Sequence, residues 1–187
     1  DGEAEVERFK GALEQTIQDT ERLAEDLATR VGEKEAEIMQ GHMMLLADPM
    51  LTGEIENSIK NDGVNSEFAI ENVCNMYADM FASMGDELMQ QRATDMRDIK
   101  TRMQRTLMGI QSVDISKLAE GSIIVAKDLT PSMTAGINPA NVTGIVTELG
   151  GRTSHSAILA RALEIPAVVA VTGFMDSVKD GDAIVLD

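Results

Sequence analysis

Apolar residues recur at helical spacing through roughly the first 110 positions, then alternate in short runs from about position 120. Val6, Phe9, Leu13, Ile17, Leu27 and Val31 mark one long amphipathic helix with acids between them, which Gly32 weakens or ends. Glu33 to Ala47 predicts a second helix carrying Ile38, Met39, His42, Leu45 and Leu46. Asp48-Pro49 breaks it, because proline disfavours helical backbone in the preceding residue. Leu51, Ile55 and Ile59 predict a short helix stopped by the turn cluster Asn61-Asp62-Gly63. A longer helix carries Val73, Met76, Tyr77, Met80, Met84 and Leu88, and Met96, Ile99, Met103, Leu107 and Ile110 form the last stripe. Antiparallel helices joined by short turns make a bundle or paired hairpins, and most methionines at this spacing are expected in its core.

The second half predicts strands at Ser122 to Ala126, Val142 to Thr147, Ala167 to Val171 and Ala183 to Leu186, each β-branched and bounded by Gly, Pro, Asp or Asn. Between the middle two, Ile158, Leu159 and Leu163 sit at helical spacing, so Gly150 to Pro166 reads as the loop and helix of a strand–loop–helix–strand unit. The boundary between a helical part and a small α/β part falls near Ser112 to Ser116.

Charge sharpens that division. Of the 187 residues, 32 are acidic and 16 basic, a net charge of −16. Residues 1–115 hold 24 of the acids and 11 of the 13 methionines. Such a field repels phosphate backbones, and one tyrosine, four phenylalanines and no tryptophan offer no base-stacking platform, so nucleic acid is not the expected partner. A basic protein suits the surface better, with plain solubility as the competing explanation. No apolar run approaches the ~18 residues of a membrane span, and no secretory leader is visible. The single Cys74 forms no internal disulfide, and two histidines with one cysteine furnish no His/Cys zinc site. A reducing cytoplasm is the expected home, and no metal ligands are expected.

The chemistry concentrates in Gly150-Gly151-Arg152-Thr153-Ser154-His155-Ser156-Ala157. The glycines allow a tight turn after a strand, and Thr153 or Ser154 can cap the helix that follows. His155 then falls in the first turn, where unpaired amides and the positive dipole end favour an anion such as a phosphoryl group, with Arg152 adding fixed charge. A neutral imidazole there can act as a nucleophile. A histidine beside a helix cap with no chemistry fits the same spacing. Arg161, a turn and a half on, is either a further phosphoryl contact or a surface charge.

The run GGRTSHSAILARALEIPAVVA resembles the phosphohistidine motif of the phosphoenolpyruvate-utilising enzymes, and Asp128 to Ser132 with EKEAEIMQGHMMLL at Glu33 to Leu46 resembles Enzyme I of the bacterial sugar phosphotransferase system. The resemblance implies a helical-hairpin bundle subdomain at 1–113, followed by a small swivelling β/β/α phosphohistidine domain at 114–187. It implies that His155 accepts a phosphoryl group from phosphoenolpyruvate and passes it to a histidine of the carrier protein HPr. Thr134 would hydrogen-bond the resting imidazole, and Arg152 with Ser154 would complete the site. Glu33, His42, Met44, Leu45, Asp48 and Arg92 match the HPr-docking face. Lys34, Ala47 and Met50 depart from acids in well-known members. The family's opening strand, linker helix and magnesium-dependent, phosphoenolpyruvate-binding C-terminal barrel have no counterpart here. The chain therefore reads as a fragment without cofactor, monomeric by itself and dimeric in full length through the missing domain. An Enzyme I-like part of a dihydroxyacetone kinase phosphotransfer subunit and a non-catalytic carrier-docking module remain as alternatives.

Overall fold

The computed structural model describes residues 2–186 and divides into two compact units. One comprises the residues up to Asp26 with Glu37–Ser112; the other comprises Leu27–Ala36 with the residues from Val113 onward.

The helical unit is built on α1 (Gly2–Arg30) as far as Asp26, α2 (Glu33–Leu46) from Glu37, α3 (Pro49–Asn57), α4 (Ser66–Ser83) and α5 (Glu87–Leu107). The breaks fall where local chemistry places them. The Asp48 carboxylate accepts the Met50 amide at 2.8 Å and Pro49 opens α3, where its missing N–H costs nothing. Asn65 and Asp86 cap α4 and α5 in the same way, at 2.9 Å each. A single π-helical turn, Ser58–Asp62, and Gly63 at φ +67° end the α3 segment. Phe9, Leu46, Leu51, Ile55, Ile59, Ile70, Met96, Ile99 and Met103 are fully buried in one core. α1 has two polar core positions, Thr16 and Thr20, whose hydroxyls donate to the carbonyls one turn back at 2.7 Å and so leave no unpaired group.

Two expectations for this half fail. The stripe from Val73 to Leu88 is not one helix: Gly85, at φ +78°, and Asp86 divide it, and Leu88 lies exposed on α5. Nor are most methionines core. Met39, Met96 and Met103 are buried, but Met44, Met50, Met76, Met80, Met84 and Met108 are exposed. The buried face of α4 is made instead by Ala69, Ile70, Val73, Cys74 and Ala78.

The second unit holds a three-stranded parallel sheet in the order β1 (Ser122–Ala126), β2 (Val142–Thr147), β3 (Ala167–Val168). Parallel neighbours need a crossover, supplied by α6 (Pro131–Ala135) between β1 and β2 and by α7 (His155–Ala162) between β2 and β3. Leu129, Ile137, Val142, Ile145, Ala160 and Ile165 form the core. The Arg30 guanidinium donates to the Ile137 and Ala135 carbonyls, the latter at 2.8 Å, closing the end of α6. β3 is shorter than expected because Ala170 adopts φ +63°, which extended backbone does not allow. The expected fourth strand, Ala183 to Leu186, does not join the sheet among the described residues; Leu186 packs onto Gly144 of β2, where a Cβ would otherwise stand.

Candidate functional site

In a parallel sheet with crossover helices, the strands end and the helices begin on the same edge, which is where such folds expose backbone donors to ligands. β2 ends at Thr147 and α7 begins at His155, so the imidazole is carried on that edge. The intervening loop is tied down at several points. The Glu148 and Leu149 amides donate to the Ala126 and Lys127 carbonyls at 3.1 and 2.8 Å, and Thr147 Oγ1 donates to the Leu149 carbonyl at 2.7 Å. Gly150 has φ +98°. A Cβ there would lie 3.6 Å from Ser154 Oγ, 3.8 Å from Thr147 Oγ1 and 3.9 Å from Asp128 Oδ1, all ordinary contacts. Backbone conformation, not crowding, therefore requires the glycine.

Ser154 is the N-cap. Its Oγ accepts the Ala157 amide at 3.3 Å, lies 2.9 Å from the Gly151 carbonyl as donor, and stands 3.0 Å from Ser156 Oγ. Its role is to shape the loop and begin the helix. His155 is the first residue of α7 and is half-buried. The first-turn amides, which an α-helix cannot pair internally, begin at this residue. A phosphoryl group bound to the ring would be within the influence of those dipoles.

The accompanying residues divide by environment. Arg152 is exposed, and its guanidinium makes no ion pair among the described residues. Arg161 is exposed, and its Nη2 donates to the Arg152 carbonyl at 2.8 Å, bracing the loop from the last turn of α7. A side-chain bond to backbone nine residues away leaves no periodic signal, so sequence could not supply this role. Thr134 is buried on α6, which packs against α7, and its hydroxyl donates to the Thr130 carbonyl at 2.9 Å. Its single hydrogen is thereby committed, leaving Oγ1 as an acceptor.

The residues matched to a docking face are not all available for one. Met44 is 71% exposed, and Glu33 is exposed at the start of α2. Leu45 is half-buried and packs on the bundle core. Asp48 is half-buried and already serves as the α3 cap. Arg92 is half-buried, 3.9 Å from Asp95, and its Nη1 occupies the space beside Gly41 that a Cβ would take. His42 must be withdrawn: it is fully buried, with Nε2 3.0 Å from the buried Asp95 carboxylate. Ala36, Met39, His42 and Leu46 define the inward face of α2, so the helical period that exposes Met44 turns His42 into the core. The exposed Met50 on α3 and Met76, Met80 and Met84 on α4 were not singled out from sequence, because spacing alone does not distinguish an outward apolar stripe from an inward one. α3 packs against α4, and Tyr77 of α4 reaches Glu54 of α3.

Residues 1–92 match the family model for the N-terminal part of PEP-utilising enzymes, and residues 118–187 match the model for their mobile domain. The phosphoenolpyruvate-protein phosphotransferases of Bacillus subtilis and Listeria monocytogenes are 41% and 44% identical over 187 residues, the whole of this chain and 33% of each relative. The chain thus spans about a third of the length of these relatives. Among solved structures, the NMR structure of an Enzyme I protein (nEIt) superposes with a TM-score of 0.81 at 41% identity, covering 95% of this chain and 72% of the other. The N-terminal domain of a nitrogen-type Enzyme I gives a TM-score of 0.65 at 29% identity, covering 90% and 68%.

Proposed function

The chain belongs to the PEP-utilising enzymes, as an Enzyme I N-terminal region, and from that premise we propose that it is a phosphoryl relay whose carrier group is the imidazole of His155. The observation that supports this most is the placement of that half-buried ring at the first residue of α7, on the edge where parallel strands end.

In the loading step a ring nitrogen lone pair attacks phosphorus in line. The N–P bond forms as the donor's P–O bond breaks, and the leaving oxygen keeps the electron pair. In the unloading step a histidine of HPr attacks the same phosphorus, and the N–P bond to His155 breaks. Both partners are nitrogen nucleophiles, so positioning and charge shielding matter more than covalent help. The first-turn amides of α7 and the Arg152 guanidinium steady the phosphoryl oxygens. Ser154 and Arg161 hold the loop that aims them, and Thr134 supplies an acceptor against the resting ring.

The helical unit docks HPr, with Met44, Leu45, Asp48 and Arg92 as contacts; the resemblance adds Glu33, at the start of α2. Acidic charge steers a basic carrier more than it adds affinity. Phosphoenolpyruvate binding and its magnesium requirement are assigned to the part of the relatives outside this chain. A cytoplasmic location and a monomeric state complete the reading, and no described helix is long and apolar enough to cross a membrane.

The experiment is transfer of labelled phosphoryl from phospho-HPr to the chain and back to fresh HPr. The expected result is reversible, acid-labile label on wild type and none on His155→Ala. Carrier binding without label on wild type would support a docking module instead.

A further inference from the structure

The sulfur atoms of the helical unit are distributed unevenly with respect to solvent. Its thiol, Cys74, is buried among α4 core residues, and burial pushes it up to about 12, so it is a poor nucleophile toward oxidants. Three thioethers, Met39, Met96 and Met103, are sealed in the core. Six others stand outward: Met44 at 71% exposure, Met50 at 67%, Met76 at 54%, Met80 at 44%, Met84 at 53% and, at the C-cap of α5, Met108 at 52%. Met76, Met80 and Met84 follow one another at four-residue intervals, one outward stripe of α4. Tyr77 reaches Glu54 across the packing of α3 on α4, which brings α4 beside the helix that bears Met50.

We propose that Met44, Met50, Met76, Met80 and Met84 form a reversible oxidation site through which hydroperoxides control carrier docking. The inference rests on the docking reading given above. In the chemical step a thioether lone pair attacks one peroxide oxygen. The S–O bond forms as the O–O bond breaks, sulfur loses two electrons, and the other peroxide oxygen leaves, after proton transfer, as an alcohol, or as water from hydrogen peroxide. The product sulfoxide is polar and chiral where a flexible apolar side chain stood. A partner that covers it must strip water from an oxygen it was not shaped to bond. Reduction by a methionine sulfoxide reductase returns the thioether and water. Five of the six exposed thioethers of this unit are thus assigned to the contact surface and the buried sulfur to the core, so oxidation changes binding without dismantling the fold.

The test treats the 187-residue chain with hydrogen peroxide, maps sulfoxides by peptide mass spectrometry, and titrates HPr calorimetrically before and after. Expected are sulfoxides at the five proposed positions and at Met108, reduced Met39, Met96 and Met103, unchanged far-ultraviolet dichroism, and HPr affinity lowered about tenfold or more. Sulfoxide reductase should restore it. A chain with all five changed to Leu is compared only with itself, and its affinity should have the same value before and after peroxide. The proposal is overturned if mapped sulfoxides leave HPr affinity unchanged, or if the five-Leu chain loses affinity in parallel with wild type. Failure of the untreated chain to bind HPr would overturn the docking reading and this proposal together; binding that peroxide does not alter would overturn this proposal alone.

Discussion

Replacing Ser154 by Ala removes two interactions that begin α7. One is the N-cap bond from the Ala157 amide, at 3.3 Å; the other is the hydroxyl's bond to the Gly151 carbonyl, at 2.9 Å. Losing an N-cap costs about 1 kcal/mol, and the long distance puts this one no higher than that. The loop bond adds about 0.5–1 kcal/mol. Together they stabilise the start of the helix by about 1.5–2 kcal/mol, and about 1.4 kcal/mol is tenfold in an equilibrium constant. Opening of the first two turns should therefore become roughly ten to thirty times more frequent in Ser154→Ala. The assay is native-state amide hydrogen exchange at Ile158 and Leu159, whose protection factors should fall by that ratio while the strand amides of Ile145 and Val146 do not change. Ser154→Asn, another capping residue, should recover most of the protection. Equal protection at Ile158 in wild type and Ser154→Ala would refute the claim that this side chain sets the histidine's helix in place.

Arg161→Ala should raise exchange at Arg152, Thr153 and Ser154 several-fold, with Arg161→Lys intermediate, because the guanidinium holds the Arg152 carbonyl; unchanged exchange would dismiss the brace. Ala170→Gly should stabilise the second unit by about 0.5–1 kcal/mol in urea unfolding, since glycine carries no Cβ penalty at φ +63°; a loss would show that the residue is not held there. His42→Leu should cost about 2 kcal/mol, because it removes the imidazole that the buried Asp95 carboxylate meets at 3.0 Å; a change within a few tenths would contradict that pairing. Glu5 receives the Ser66 amide and hydroxyl and is paired with Arg8, and the amide bond above all draws its carboxyl down to about 2. Glu71, bonded by Gln104, Asn75 and Lys100, is likewise drawn down to about 2. A carboxyl with a lowered value in the folded state contributes stability above its ordinary 4.5 and loses it as pH falls toward 2. Thermal melting of the helical unit should decline across that interval, less steeply in Glu5→Gln, and parallel curves would rule out the Glu5 contribution.

Much of this architecture is written in local chemistry. Asp48-Pro49 and Asn61-Asp62-Gly63 end helices because proline and left-handed glycine act within one or two residues. The glycines, capping residues and histidine of 150–155 announce the site for the same reason. What sequence concealed depends on neighbours distant along the chain. Gly85 interrupts an apolar stripe that otherwise keeps its spacing through Leu88, so the α4–α5 corner was hidden. Met76, Met80 and Met84 are as apolar as core residues, and only the packing of Val73, Cys74 and Ala78 decides which face turns inward. His42 shares the inward register with Met39 and Leu46, and its partner Asp95 lies 53 positions away. Ala183 to Leu186 has strand composition, but a strand exists only where a neighbour offers its ladder, and Ala170 shortens β3 through a conformation that alanine does not advertise.

The central claim is that the His155 imidazole carries the phosphoryl group. Tandem mass spectrometry of the chain, quenched at alkaline pH after exposure to phospho-HPr, locates that group directly. The account predicts a single phosphorylated peptide with the modification on His155, and its disappearance on adding unphosphorylated HPr. Phosphorylation at Ser154, Ser156 or His42, or a modification at His155 that HPr cannot remove, would contradict it.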